Sequence, residues 1–159
     1  MKLIRNHEDG MALALKAAKK SLLRGEVPIG AVLVNENGDV VSTAYNLVET
    51  KHSQLAHAEA RAVALANKKL NSWRLNGCWL YVTLEPCLMC LGLVQLSRVH
   101  GICFGATSPL FGTGLEKNDL DFSFYEKKVH IISGVRKQEC AELLQLFFRH
   151  SREKKKGPQ

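Results

Sequence analysis

Residues 83–90 read Thr83-Leu84-Glu85-Pro86-Cys87-Leu88-Met89-Cys90. An apolar run ends here and a helical pattern begins, with a proline at the join. Upstream, His57-Ala58-Glu59 opens a second helical pattern. His57, Cys87 and Cys90 supply one imidazole and two thiols, a three-ligand set that suits a catalytic zinc with its fourth position left to water. Glu59, two residues past the histidine, is a carboxylate placed to handle that water's protons.

The elements around this stretch follow from periodicity. Residues 78–84 form a continuous apolar run with β-favouring Trp79, Tyr81 and Val82, the pattern of a strand covered on both faces. Pro86 then starts a helix over residues 87–97, because proline lacks only a donor that the first turn leaves unpaired anyway. In that helix Cys87 and Cys90 lie at i and i+3, on one face near the positive end, where thiolate is favoured. Residues 57–69 form the helix that carries His57, with Ala58, Ala62, Leu65 and Ala66 as a small-residue face.

Toward the N-terminus, residues 7–24 predict a helix capped by Asn6, with Glu8 and Asp9 in its first turn and Met11, Leu15, Ala18 and Leu22 as its apolar face. A strand over 31–34, an Asn-Gly turn over 35–38 and a strand over 39–45 make a hairpin, followed by a polar loop over 47–55. Toward the C-terminus come a strand over 99–104, a glycine-containing loop over 105–121, a strand over 128–132 and a helix over 136–153 with Leu143, Leu144, Phe147 and Phe148 on its apolar side. Residues 150–159 are basic and expected as a flexible tail. The order predicts one α/β domain over 1–159, a three-layer α/β/α sandwich with a mixed five-stranded sheet.

The chain has 159 residues and a net charge of +7, which favours an anionic partner, nucleic acid ahead of a membrane surface. Of its five cysteines, Cys78, Cys103 and Cys140 fall outside the motif and read as small buried hydrophobes. No signal peptide or membrane-length apolar run is present in the sequence, so a reducing, cytoplasmic setting is expected.

His57-x-Glu59 followed by Pro86-Cys87-x-x-Cys90 matches the signature of zinc deaminases. The chain as a whole resembles the bacterial tRNA-specific adenosine deaminases of the cytidine deaminase-like superfamily. The resemblance runs through Glu26-Val27-Pro28-Ile29-Gly30, Tyr45-Asn46, Ala56-His57-Ala58-Glu59, residues 80–90, Phe104-Gly105-Ala106, Glu139-Cys140-Ala141-Glu142, and Phe147-Phe148-Arg149. It implies conversion of adenosine to inosine at the wobble position of a tRNA anticodon, chiefly an arginine tRNA, by a homodimer with one zinc per subunit. His57, Cys87 and Cys90 would hold the zinc and Glu59 would shuttle protons. Asn46 would hydrogen-bond the extruded nucleoside, Ile29 would pack on its base, and the backbone N–H of Ala58 would face the reacting edge. Phe148 and Arg149 belong to the C-terminal part of the match and are expected at the substrate.

One region departs from the family. Where a polar Arg-Asp pair and a lysine are usual, this chain has Thr107-Ser108-Pro109-Leu110-Phe111. Ser108 can meet a ribose hydroxyl, but Leu110 carries no charge. Leu47-Val48 likewise replaces a common arginine-proline. Glu85 reads as a carboxylate stabilising a helix start.

Three rival functions remain at this point. The same chemistry serves a free base or nucleoside such as cytosine, cytidine or guanine. A non-catalytic zinc subunit of a tRNA deaminase would close its metal with a fourth ligand, for which Cys78 or His100 are the candidates. A pure nucleic-acid-binding module leaves the carboxylate beside the ligand set unexplained.

Overall fold

Asn6 accepts the Asp9 N–H at 2.9 Å and so starts helix α1 (His7–Leu23), as its position ahead of an acidic first turn predicts. The structure, a computed structural model, describes residues 3–114 and 129–157. Strands β1 (Gly30–Val34) and β2 (Val40–Tyr45) form the expected hairpin. A short helix α2 (Val48–Lys51) and a 3-10 turn (Gln54–Ala56) lead into α3 (Ala58–Leu70). Then come β3 (Trp79–Leu84), α4 (Leu88–Leu96), β4 (Gly101–Ala106), β5 (His130–Ile132) and α5 (Lys137–Lys156).

The five strands lie in the order β2-β1-β3-β4-β5. β1 runs antiparallel to β2 and β3, while β3, β4 and β5 are parallel. Alternation along each strand feeds two cores. Val32, Val34, Tyr81 and Cys103 face Met11, Ala14, Leu15 and Cys140 of α1 and α5. Ala31, Leu33, Leu80, Val82 and Phe104 face Ala58, Ala62, Val63, Leu91 and Val94 of α3 and α4. This is the mixed sheet between two helical layers that the sequence predicts. Full burial of side chains such as Phe104 or Met11 contributes about 1.5–3 kcal/mol each. α1 lies close because β1 opens on glycine: a Cβ on Gly30 would stand 2.0 Å from the Ala14 carbonyl oxygen.

Register sets the position of the site. Gly30 pairs with Tyr45, Ala31 with Val82, and Leu84 with Ala106. The start of β1 and the ends of β2, β3 and β4 therefore share one end of the sheet.

Three expectations need correction. Residues 47–55 are not a plain polar loop. The buried Glu26 carboxylate accepts the N–H groups of Glu49 (3.2 Å) and Thr50 (2.7 Å) and the Thr50 hydroxyl (2.7 Å), and so holds the first turn of α2. The helix expected over 87–97 begins at Leu88, because Cys87 keeps an extended backbone (φ −74°, ψ 168°) as its N-cap. The expected flexible tail over 150–159 is helical as far as Lys156, its last-turn lysines lying at the helix's negative end. The expected loop over 105–121 and strand over 128–132 are described only in part, since 115–128 lie outside the described residues. Among the described residues no helix is long and apolar enough to cross a membrane.

Candidate active site

His57 and Cys87 occupy equivalent places in the fold. Each is the N-cap residue of a helix, α3 and α4 respectively, and neither helix start carries a side-chain cap bond from that residue. Both side chains are thus available at the positive ends of two neighbouring helices. Cys90 adds a third group from the first turn of α4 and is fully buried. His57 Nδ1 stands 3.6 Å from Cys87 Sγ and 3.5 Å from Cys90 Sγ, and all three ligand atoms lie within 4.8 Å of one another.

These distances test the donor set against a metal. Tetrahedral zinc, with bonds of about 2.05 Å to nitrogen and 2.3 Å to sulfur, sets N···S separations of about 3.6 Å. The residues fit. The set holds three ligands among the described residues, not four. Cys78, immediately before β3, stands at the opposite end of that strand, and His100, whose N–H bonds the Cys78 carbonyl, is beside it there.

Gln54 completes the imidazole's surroundings. Its Oε1 lies 3.0 Å from His57 Nε2. With the proton on Nε2 donated to that oxygen, Nδ1 presents its lone pair to the two sulfurs. No spacing rule in the sequence singles out Gln54.

The thiols share protons with this imidazole. Contact with Cys90 and then His57 pulls Cys87 down to about 4, while the same contact, together with burial, pushes Cys90 well above the ordinary thiol range. The hydrogen bond to Cys87 also raises His57. A dication would compete for these same lone pairs and release the protons on binding.

Glu59 lies in the first turn of α3 and is 4 % exposed. Burial pushes its carboxyl up to about 7, near the optimum for an acid–base group at neutral pH. Ala58, the first residue of α3, is fully buried and offers one of the N–H groups that a helix start leaves without an intrahelical partner.

Ile29 and Asn46 meet at the same end of the sheet. The Asn46 N–H donates to the Ile29 carbonyl at 3.0 Å, and the Asn46 amide donates to the Val27 carbonyl at 3.3 Å. The Ser21 hydroxyl ties this corner to α1 through the Asn46 carbonyl at 3.0 Å. Arg61 of α3 donates to the Tyr45 carbonyl and lies over the Tyr45 ring at 5.1 Å.

Glu85, expected as a carboxylate stabilising a helix start, also holds the segment after β4. It is buried, and its Oε2 accepts the Ser108 N–H at 3.1 Å. That bond brings Ser108 alongside the residues just before Cys87. Phe148 and Arg149 lie on α5, in the layer shared with α1. Phe148 is half exposed and packs edge-on against Phe147, on a helix that packs against β4, β3 and α1. A cleft of about 420 Å³ opens at the far end of β3, lined by Arg5, His7, Trp79 and His100, and holds none of the cluster residues. The chemistry lies with the convergent donors, not with that cleft.

Residues 4–106 match the family model described as the cytidine and deoxycytidylate deaminase zinc-binding region. The chain is 48% identical over 148 residues to a tRNA-specific adenosine deaminase of Bacillus subtilis, covering 92% of this chain and 91% of that protein. A solved structure from studies of A-to-I editing by tRNA:A34 deaminases at the wobble position of transfer RNA is similar at a TM-score of 0.75 and 34% identity, over 84% of this chain and 97% of that one. The guanine deaminase of Bacillus subtilis is similar at a TM-score of 0.62 and 30% identity, over 79% of this chain and 83% of that one.

Proposed function

The chain belongs to the cytidine and deoxycytidylate deaminase family, and on that premise we propose that it deaminates adenosine to inosine at the wobble position of a tRNA anticodon. The observation that carries this reading is the placement of buried Glu59 two residues from His57, at the helix start that meets Cys87 and Cys90. The likeness to tRNA deaminases over nearly the whole chain supports the substrate. The net charge of +7 supports a polyanionic one.

His57, Cys87 and Cys90 would hold one zinc ion. When bound it polarises water into a nucleophile at neutral pH. The chain's own groups do the rest. Glu59 takes a proton from the attacking water and delivers it to purine N1 as oxygen adds to C6. It then takes the remaining proton from the added hydroxyl and passes it to the amine, so that C6 becomes a carbonyl as the C6–N bond breaks; one water enters and one ammonia leaves. Ile29 and Asn46 border the base and the sugar, and the Ala58 N–H faces the reacting edge. Phe148 and Arg149, in the C-terminal part of the resemblance, would meet the RNA strand. An anticodon loop presents unpaired nucleotides, so extrusion of the base costs only a few kcal/mol.

The substrate we propose is an arginine tRNA, and the active form a homodimer. Exposed Leu88 (64 %), Met89 (41 %) and Leu96 (62 %) on α4 support a second copy packing there. Free thiols at every described cysteine, with tRNA as substrate, support a cytoplasmic setting.

The test is reverse transcription and sequencing of transcribed arginine tRNA after incubation, with free guanine, cytidine and adenosine in parallel. Conversion of A to G at the wobble base is expected. Turnover of free guanine with an unchanged wobble base would establish the small-molecule reading instead.

A further inference from the structure

The turn after β4 presents two consecutive apolar side chains to water, Leu110 at 85 % exposure and Phe111 at 75 %. Both flanks of this turn are tied to the segment that precedes Cys87. The Ser108 N–H donates to Glu85 Oε2, and the Thr113 hydroxyl donates to the Pro86 carbonyl at 3.4 Å. The Gly112 N–H closes the turn onto the Ser108 carbonyl at 2.9 Å. Gly112 lies against the same carboxylate: a Cβ there would stand 2.1 Å from Glu85 Oε2. Phe111 is therefore one residue, about 3.8 Å of chain, from a backbone in contact with Glu85. Glu85 is itself two residues from Cys87. A buried carboxylate thus anchors the turn that carries this exposed aromatic ring, and the anchor stands two residues from Cys87.

We propose that Phe111 is a stacking platform for the base next to the reacting nucleotide in an RNA strand, with Glu85 as the residue that positions it. The inference rests on the RNA reading above. Extruding one base from a single strand leaves its neighbour without a stacking partner, and an exposed aromatic side chain replaces that partner without regard to base identity. The chain's charge of +7 and the lysines of the last turn of α5 suit the phosphates that accompany such a strand. A free base or nucleoside has no flanking base to cover the ring. A protein surface is the competing occupant.

The experiment measures binding of the zinc-loaded full chain to fluorescent anticodon stem–loop RNAs. One RNA is intact, and two carry an abasic site on the 5′ or the 3′ side of the target adenosine. For the wild type, one abasic RNA is expected to bind about tenfold more weakly than the intact one. Phe111→Ala is expected to bind the intact RNA about tenfold more weakly and to lose the distinction between intact and abasic RNA. Phe111→Trp is expected to restore both. Equal loss on the abasic RNA for wild type and Phe111→Ala overturns the proposal. So does unchanged RNA binding by Phe111→Ala, with or without dissociation of the dimer in sedimentation, where dissociation marks the ring as a protein contact. Deamination of the intact RNA is followed separately. Binding with the expected pattern but no inosine would refute the proposed reaction and leave the role of Phe111 standing.

Discussion

Gln54 Oε1 stands 3.0 Å from His57 Nε2, and this contact turns the other imidazole nitrogen toward Cys87 and Cys90. The 3-10 turn that carries Gln54 ends one residue before His57, so the partner and the ligand come from one short segment. Partners of this kind fix the tautomer and are worth about 10–100-fold in metal affinity. Gln54→Leu is expected to weaken zinc binding by that factor in a competition titration with a chelator. Unchanged affinity would show that the contact does not orient the ring.

Glu59 is expected to be dispensable for the metal and required for turnover. General acid–base catalysis is typically worth about 10²–10⁴ in rate, and one carboxylate serving two proton transfers belongs at or beyond the upper end. Glu59→Gln should keep its zinc by elemental analysis and lose at least that factor in single-turnover inosine formation. A variant that deaminates at the wild-type rate removes Glu59 from the mechanism.

Glu26 carries a pH-dependent share of stability. Burial pushes its carboxyl up, but hydrogen bonds from Thr50 and Glu49 outweigh this and hold it below the ordinary value of 4.5. A carboxyl depressed on folding stabilises fully above its unfolded value, and that contribution is lost as pH falls through the folded value. Glu26→Gln should therefore cost about 1–2 kcal/mol in denaturant unfolding at pH 7, with the gap to wild type closing below about pH 4.5. A gap independent of pH would assign the loss to packing alone.

The helical end of α5 displays Lys154, Lys155 and Lys156. Replacing all three with glutamine should leave the unfolding transition in place and flatten the salt dependence of tRNA binding. The log–log slope should fall by up to about 0.9 for each phosphate no longer neutralised, somewhat less for unpaired strands. An unchanged slope would show that the RNA does not reach this turn.

Much of this arrangement was legible in the sequence because its signals are local. Asn6 ahead of an acidic turn, the Asn-Gly turn of the hairpin and the unbroken apolar run of β3 each reflect backbone geometry within a few residues. The ligand set was legible because metal chemistry restricts residue type and spacing together. What escaped depends on distant partners. Helix α2 forms where Glu26, more than twenty residues upstream, holds the N–H groups of its first turn. Cys87 reads as helical beside Pro86, yet it is an extended N-cap that aims its sulfur at His57. Glu85 suits a helix start by its position, and only the folded chain brings Ser108 and Gly112 against it.

The account stands on His57, Cys87 and Cys90 gripping a common ion. Zinc per chain, measured by elemental analysis on protein purified without added metal or chelator, tests this most directly when wild type and Cys87→Ala are compared. About one zinc per chain is expected in the wild type, falling to near zero in the variant. A wild type without zinc, or a variant that keeps a full complement, would contradict it.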